Sequence, residues 1–299
     1  MGLNGSDVAR EAADIVLLDD NFASIVVGIR EGRLLFANLK KSIAYTLSHL
    51  VPEVIPVLLW AFAGIPQPMG ALLALCVDLL TELVPATSLA YEQPESLIMK
   101  VPPRSVKTDK LTSFTLLFYA YGQAGMILTG GCFFVYFLTF QKFGVTAKML
   151  FQNKNLFFPA ANSGDDDANY FVGTNDRRFS PDEQNHILYV VQGGWYLMIV
   201  CGQAAHIWVC RTTTVSIFQH GIFTNRITNI GVVIALCLGC FVTYLPGLQV
   251  IVQSANPYSL LILYASLWVS FSLWAWAEGR KYITRTYPGK NCFNRYLAW

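Results

Sequence analysis

Residues 45–90, "YTLSHLVPEVIPVLLWAFAGIPQPMGALLALCVDLLTELVPATSLA", decide the fold, because they hold two long apolar segments separated by a tight turn. A bilayer core needs about 20 mostly apolar residues per helix, and ranges 42–63 and 71–90 both meet that length. The connection "GIPQPMG" is so short that the two segments must form an antiparallel hairpin. Ionisable side chains interrupt this hairpin, which therefore combines membrane-spanning helices with polar chemistry at membrane depth.

The composition of the whole chain agrees with a membrane protein. Of its 299 residues, 54% are hydrophobic and only 13% are charged, whereas soluble domains average about 25% charged residues. The net charge of +2 gives no indication of a nucleic-acid partner. Six segments are long and apolar enough to span the lipid bilayer as helices: 42–63, 71–90, 114–140, 187–210, 227–245 and 258–277. The sequence therefore predicts an all-α polytopic membrane protein.

The segment before the first span differs in kind from the rest of the chain. Its sequence predicts a helix end, a short buried strand at 15–18, and then a second helix. Range 22–41 has helical periodicity and few breakers. We therefore expect this helix to run into the first span as one long rod.

The basic residues predict the orientation of the spans. Sixteen of the 21 lysines and arginines lie before the first span, in the links between spans two and three and between four and five, or after the last span. The other five lie between residues 141 and 186. Because cytoplasmic loops are enriched in basic residues, both termini are predicted to be cytoplasmic, with the 141–186 loop outside.

Three carboxylates mark the candidate site. Glu53, Asp78 and Glu82 are the acidic residues that fall well inside the predicted spans. Each costs about 2.5–3.5 kcal/mol in a membrane, so each should face a polar interior. His49 lies four residues before Glu53, and Asp78 lies four before Glu82, so each pair shares one helix face. Because the two helices are hairpin neighbours, the two faces can meet.

Other polar features surround these carboxylates. Pro52 and Pro56 remove backbone donors, so we expect them to break or loosen the first helix and to leave carbonyl oxygens free. Gln203 and His206, three residues apart, give the fourth span a polar face. Carboxylates and free carbonyls suit a hard cation, and a proton can share the carboxylates. The alternative is that these polar groups only join helices through hydrogen bonds. The remaining candidate accessory residues are Thr46 and Ser48.

Several segments of the sequence resemble segments of the P-type cation-transporting ATPases, in particular of the catalytic α subunits of the sodium/potassium and proton/potassium pumps. These segments are "SDVAREAADIVLLDDNFASIV", "EGRLLFANLKKSIAYTL", "LAYEQPES", "KTDKL", "AYGQAGMI", "FQHG" and "YLPG". The resemblance implies that residues 1–40 are a small α/β remnant of the phosphorylation domain with its stalk. Residues 41–299 then correspond to the family's fifth to tenth helices, the C-terminal portion only.

The resemblance also implies a function. This would be the ion-binding membrane part of an ATP-driven pump in the plasma membrane, which exports sodium or protons and imports potassium. Glu53, Asp78 and Glu82 match the family's ion-binding carboxylates, and Gln203 matches a polar residue of its eighth helix. ATP and Mg²⁺ are implied for an intact family member, with no cofactor bound by this chain itself.

The chain departs from the family's pattern at several positions. His49 stands where the sodium/potassium pump has Ser and the proton/potassium pump has Lys, which suggests a charge-tuning role. Leu50 replaces a coordinating Asn, and His206 replaces an Asp linked to a third sodium site. Residues 234–235 replace a glutamate pair of the ninth helix. These changes argue against a third sodium site.

Motifs missing from the sequence limit what residues 1–299 are expected to do alone. The sequence has no DKTG phosphorylation motif and no nucleotide-binding domain, so we expect no ATP hydrolysis by this chain by itself. It also lacks the "SYGQ" with which the family binds its β subunit, which weakens the case for that partner. The alternative function is a truncated, non-catalytic membrane protein that regulates or binds a full-length pump. A passive channel or secondary transporter is disfavoured, because no internal repeat is visible.

The basic-residue pattern leads to a topological prediction. An epitope tag inserted in the 141–186 loop should be accessible on intact cells, whereas tags at either terminus should need permeabilised cells. Antibody labelling of both preparations measures this. A loop tag that is labelled only after permeabilisation would contradict the predicted orientation.

Overall fold

The computed structural model describes residues 5–17, 21–95, 98–100, 102–105, 109–151, 171–174 and 177–287. Within them, six helices are long and apolar enough to cross a membrane, which confirms the predicted fold class. We number them span 1 to span 6: Phe22–Ala63, Ala71–Tyr91, Phe114–Lys142, Pro181–Cys210, Arg226–Tyr244 and Ser259–Thr286. Shorter helices cover Asp7–Glu11, Ile98–Lys100, Ala147–Leu150, Ile217–His220 and Pro246–Val252.

Span 1 is a single α-helix of 42 residues, as the rod prediction required. It begins where the side chain of Asn21 accepts a hydrogen bond from the backbone amide of Ala23, and ends at Gly64, whose φ of 66° is left-handed. Glycine adopts this conformation without steric cost, so the chain can turn sharply into the hairpin.

The prediction that Pro52 and Pro56 break span 1 is wrong, because the α-helix continues through both. Each proline removes the donor to the carbonyl four residues earlier. The carbonyl of Pro52, freed by Pro56, accepts a hydrogen bond of 3.1 Å from the indole of Trp195 on span 4. The carbonyl of Ser48, freed by Pro52, lies close to Gly125 of span 3. A Cβ atom added to Gly125 would lie 2.8 Å from this carbonyl oxygen. Neighbouring helices therefore cover the carbonyls that the prolines release.

Spans 2 and 3 contain irregular turns that the sequence did not indicate. Span 2 is α-helical over Ala71–Cys76, π-helical over Val77–Glu82, α-helical over Leu83–Ser88 and 3₁₀-helical over Leu89–Tyr91. Span 3 is α-helical over Phe114–Leu117 and Gly125–Lys142, with a π-helical segment at Phe118–Ala124 between them. Such π-helical segments are rare and frequently occur at functional sites. The one in span 2 carries both Asp78 and Glu82.

The predicted buried strand at 15–18 is not formed in the described part of that segment. Residues 15–17 have no regular secondary structure, and Ile15 is 81% exposed; Leu18 lies outside the described residues. An apolar run forms a stable strand only beside a hydrogen-bonded partner, and no strand pairs with residues 15–17 in the described chain. The strands that the structure describes, Phe171–Val172 and Arg178–Phe179, form an antiparallel pair between spans 3 and 4.

Span 4 is the central helix of the bundle. In its apolar 18-residue segment, 83% of the residues are buried, whereas the corresponding share is 28% for span 1 and for span 6. A capping box between Ser180 and Glu183 fixes its first turn. Gly202 of span 4 allows span 3 to pack closely against it, because a Cβ atom at this position would lie only 2.5 Å from the side chain of Leu128. Span 4 thus positions the other helices around the candidate site.

A buried polar network ties the loops together at the end of the bundle where span 1 enters it. We call it the loop clamp; its members are Lys41, Glu92, Glu95, Arg211, His220 and Asn225. Arg211 donates two hydrogen bonds, of 2.8 and 3.0 Å, to the carboxylate of Glu92, and both side chains are fully buried. His220 and Asn225 each lie 3.0 Å from the same carboxylate. Lys41 pairs with Glu95 at 2.7 Å.

The partners in the loop clamp keep its glutamates ionised. Burial acts to raise the pKa of Glu92, but hydrogen bonds from Arg211 and Asn225 outweigh it and hold that pKa below its ordinary value. Burial likewise opposes ionisation of Glu95, and the charge and hydrogen bond of Lys41 lower its pKa overall. Both carboxylates therefore stabilise the fold while they are charged.

Removal of the charge of Glu92 should weaken the fold. We expect Glu92→Gln to lower the free energy of unfolding by about 3–5 kcal/mol, because Arg211 would be left as a buried charge without its counter-ion. Glu31→Gln is the control: Glu31 is 56% exposed beside Arg30, and such surface pairs contribute about 0–1 kcal/mol. Unfolding by denaturing detergent in mixed micelles measures both.

The pH dependence follows from the lowered pKa of Glu92. Its contribution is complete above the pKa of an unfolded glutamate, about 4.3, and is lost as the pH falls through the lower folded-state pKa. The difference between the wild-type protein and Glu92→Gln should therefore shrink below about pH 4. A difference that stays constant from pH 7 to pH 3 would show that Glu92 is not a charged partner.

Candidate cation site

Spans 1 and 2 bring three ionisable side chains together at membrane depth. The Nε2 atom of His49 lies 2.7 Å from Oε2 of Glu82 and 3.2 Å from Oδ1 of Asp78. One ligand atom from each residue lies within 4.8 Å of the others. We call these three residues the membrane triad. In the described part of the chain, no other group of His, Cys, Asp and Glu side chains is arranged closely enough to hold a metal ion.

The triad has a closed side and an open side. The side chains of His49 and Glu82 are 1% and 6% exposed, whereas that of Asp78 is 45% exposed. Both carboxylates lie in the π-helical segment of span 2, and His49 reaches them from one face of span 1. The buried ligand atoms therefore lie on the side of Glu82, and the site is open on the side of Asp78.

Glu53 lies beside the triad and is not part of it. It follows His49 by about one turn of span 1, is half-buried, and is close enough for its charge to interact with all three members. Its Oε1 atom is buried and has no hydrogen-bond partner among the described residues. The Oε1 atom of Glu82 is likewise buried and has no hydrogen-bond partner among the described residues. Buried polar atoms without partners are costly and rare in native structures, so these oxygens are available for a ligand.

Span 4 contributes Gln203 and His206 in two different ways. Gln203 is buried, and neither its amide oxygen nor its amide nitrogen has a partner in the portion of the chain that the structure describes. His206 is already engaged: its Nε2 lies 3.1 Å from the hydroxyl of Tyr119 and 3.3 Å from the sulfur of Cys210. Its ring also stacks on Tyr45 at 6.0 Å. His206 thus belongs to an aromatic cluster next to the triad.

The remaining predicted accessory residues make only local contacts or are half-buried. The hydroxyl of Ser48 donates a 2.7 Å hydrogen bond to the carbonyl of Ala44 in its own helix. Thr46 is half-buried on span 1. The carbonyl of Pro52 is occupied by the indole of Trp195. Sequence reasoning missed Tyr119 and Trp195, because neither their position nor their residue type distinguishes them from other apolar span residues.

The arrangement can bind a cation or share a proton. Two carboxylates and an imidazole converge, with free oxygens from Glu53 and Glu82 nearby. No lysine or arginine is within ion-pair distance of these carboxylates among the residues described. The two carboxylates of the triad are therefore not paired with a lysine or arginine, and a bound cation or a proton, which His49 can carry, is needed to neutralise them.

Comparison with known proteins identifies relatives of this chain. Residues 66–283 match the family described as "Cation transporting ATPase, C-terminus". The chain is 41% identical over 300 residues to the sodium/potassium-transporting ATPase subunit alpha-2 of Gallus gallus. It is 41% identical over 289 residues to subunit alpha-3 of Homo sapiens, and 42% identical over 291 residues to subunit alpha-B of Artemia franciscana. Each match covers 97% of this chain but only 28% of the relative's length.

Proposed function

We propose that this chain, which belongs to the cation-transporting ATPase family, forms the C-terminal, ion-binding membrane part of an ATP-driven monovalent cation pump. The observation that carries the proposal is the membrane triad, together with the unpartnered buried oxygens of Glu53 and Glu82. The pump is of the sodium/potassium- or proton/potassium-exchanging type. It exports sodium or protons, imports potassium, and uses ATP and Mg²⁺ in the intact protein.

The ligands of the transported ion come from three helices. Asp78 and Glu82 of span 2 supply the central carboxylates, Glu53 of span 1 supplies a third, and Gln203 of span 4 supplies an amide oxygen. Oxygen atoms of these types are the ligands that hard cations prefer. The open side of Asp78 leaves room for a further ligand of the ion.

His49 tunes this site by holding the two carboxylates of span 2. Its Nε2 is within hydrogen-bond distance of both, so it fixes their separation and occupies part of the space that an ion would otherwise fill. A protonated His49 would act as a built-in cation and reduce the number of ions carried in each cycle.

The cluster around His206 is unsuited to a further cation. The hydroxyl of Tyr119 and the sulfur of Cys210 surround this histidine, and the guanidinium of Arg280 lies 4.7 Å from the centre of the Tyr119 ring. The positive charge of Arg280 repels a cation at this place. The proposed pump therefore has no third sodium site of the kind for which the family uses an aspartate.

Span 1 links the site to the ATP-dependent part of the pump. Residues 1–40 are the end of the phosphorylation domain and its stalk, and the rod is held at Asn38 and Lys41. Asn38 donates hydrogen bonds to the carbonyls of Ala90 and Glu92, and Lys41 donates to the carbonyl of Arg211. When the exposed part of span 1 moves, the helix therefore pivots about these contacts. His49 and Glu53, two to three helical turns beyond Lys41, then move as well.

The proposed cellular setting follows from the relatives and the charge pattern. The protein is a multi-pass protein of the plasma membrane with both termini cytoplasmic. A β subunit would have to bind without the "SYGQ" contact.

Uptake of radioactive rubidium, a potassium analogue, tests the proposed function in cells that express the natural gene product. Glu82→Gln and Asp78→Asn should each weaken the apparent affinity for rubidium at least tenfold, because each removes a charged ligand worth about 1.5–3 kcal/mol. Asp182→Asn, at an exposed position in the first turn of span 4, is the matched control and should leave uptake unchanged. Uptake that both site variants retain at the wild-type affinity would contradict a cation site at these residues.

A further inference from the structure

We infer that the membrane triad also binds a divalent transition-metal ion of the zinc or cobalt class, in competition with the transported alkali cation. This inference rests on the proposed function of the same site and adds a class of ligand that the proposed function does not include. The observation behind it is the position of His49, which places a nitrogen ligand between two carboxylates.

The ligand atoms distinguish classes of metal. Alkali cations and the hard divalent cations calcium and magnesium take oxygen ligands. An imidazole nitrogen instead suits zinc, copper, nickel and iron, and Irving–Williams affinities for such sites rise from manganese towards copper. A site with one histidine, two carboxylates and one open position has the three protein ligands and the open position that are typical of catalytic zinc centres. His49, Asp78 and Glu82 supply that set.

The geometry is close to what such an ion requires. Ligand nitrogen and oxygen atoms lie about 2.0–2.2 Å from zinc, so two ligands of one ion are at most about 4.4 Å apart. Nε2 of His49 is 2.7 and 3.2 Å from its two carboxylate partners, and the whole group lies within 4.8 Å. Asp78 is the half-exposed member, and its side chain has the freedom to close the remaining separation.

A second observation points to a ligand at the same place. The side chain of Glu82 is only 6% exposed, and its Oε1 atom has no partner among the described residues. One oxygen of this carboxylate contacts His49 and the other has no partner. The carboxylate can therefore bind an ion through one oxygen or through both. Buried oxygens of this kind are rarely left unsatisfied in native proteins.

The charge balance also favours a divalent ion. A metal ion binds His49 only through an unprotonated Nε2 atom, so in the metal-bound state the triad carries a charge of about −2, which one divalent cation cancels. With His49 unprotonated, one monovalent cation leaves one negative charge, and uncompensated charge at membrane depth is unfavourable. A bound divalent ion would consequently dissociate slowly and hold spans 1 and 2 together, which would inhibit transport.

Cobalt binding to the purified natural gene product in detergent tests the inference, because cobalt(II) in a four-coordinate site has a strong visible absorption. We expect one cobalt ion per protein, displaced by added zinc, with affinity at least tenfold lower in His49→Gln. His186→Gln is the matched control, because His186 is an exposed histidine near the outer end of span 4, and its affinity should match the wild type. Asp78→Asn, at a half-exposed position, should also lower the affinity for cobalt at least tenfold. This variant tests the metal site if His49→Gln fails to fold.

Rubidium binding to the same preparations separates the two proposals. Rubidium binding without a cobalt spectrum would overturn the inference and leave the proposed function standing. A cobalt spectrum that His186→Gln abolishes and His49→Gln retains would also overturn it. A cobalt spectrum that depends on His49 in a protein that binds no rubidium would support the metal site and contradict the proposed pump function.

Discussion

A carboxylate held at membrane depth must be neutralised within the protein, and the arrangement of the helices reflects this requirement. Asp78 and Glu82 lie in a π-helical segment of span 2, and His49 of span 1 meets both of them. Span 4, the most buried helix, packs behind this pair and presents Gln203 towards the bundle interior. The short hairpin between spans 1 and 2 keeps the interacting faces adjacent. The helices are thus arranged so that Glu82 meets His49 in the bundle interior, while Asp78 contacts His49 and remains half-exposed.

The protein contains two buried polar networks, and they differ in how completely their hydrogen bonds are formed. In the loop clamp, the carboxylate of Glu92 is held by Arg211, His220 and Asn225. Fully satisfied networks of this kind are rigid and specify one arrangement. Around the membrane triad, by contrast, oxygens of Glu53 and Glu82 are buried without partners among the described residues. The satisfied network fixes the loops, and the unsatisfied one is available to a ligand.

The sequence predicted the features that depend on hydrophobic length and helical spacing. Six spans, the long rod of span 1 and the meeting of His49 with Asp78 and Glu82 all follow from such regularities. It failed where a tertiary partner decides the outcome. Pro52 and Pro56 do not break span 1, because Trp195 and Gly125 cover the released carbonyls. The strand expected at 15–18 has no partner strand in the described chain, and the π-helical segment of span 2 has no signature in residue type or spacing.

Rubidium anomalous diffraction tests most directly whether the carboxylates of spans 1 and 2 surround a transported cation. Crystals of the purified protein grown in rubidium should show an anomalous peak in direct contact with carboxylate oxygens of Asp78 and Glu82, on the side towards Glu53. Replacement of rubidium by a large organic cation should remove that peak. Rubidium peaks found only elsewhere in the protein, with the carboxylates of Asp78 and Glu82 in contact with no ion, would contradict the account.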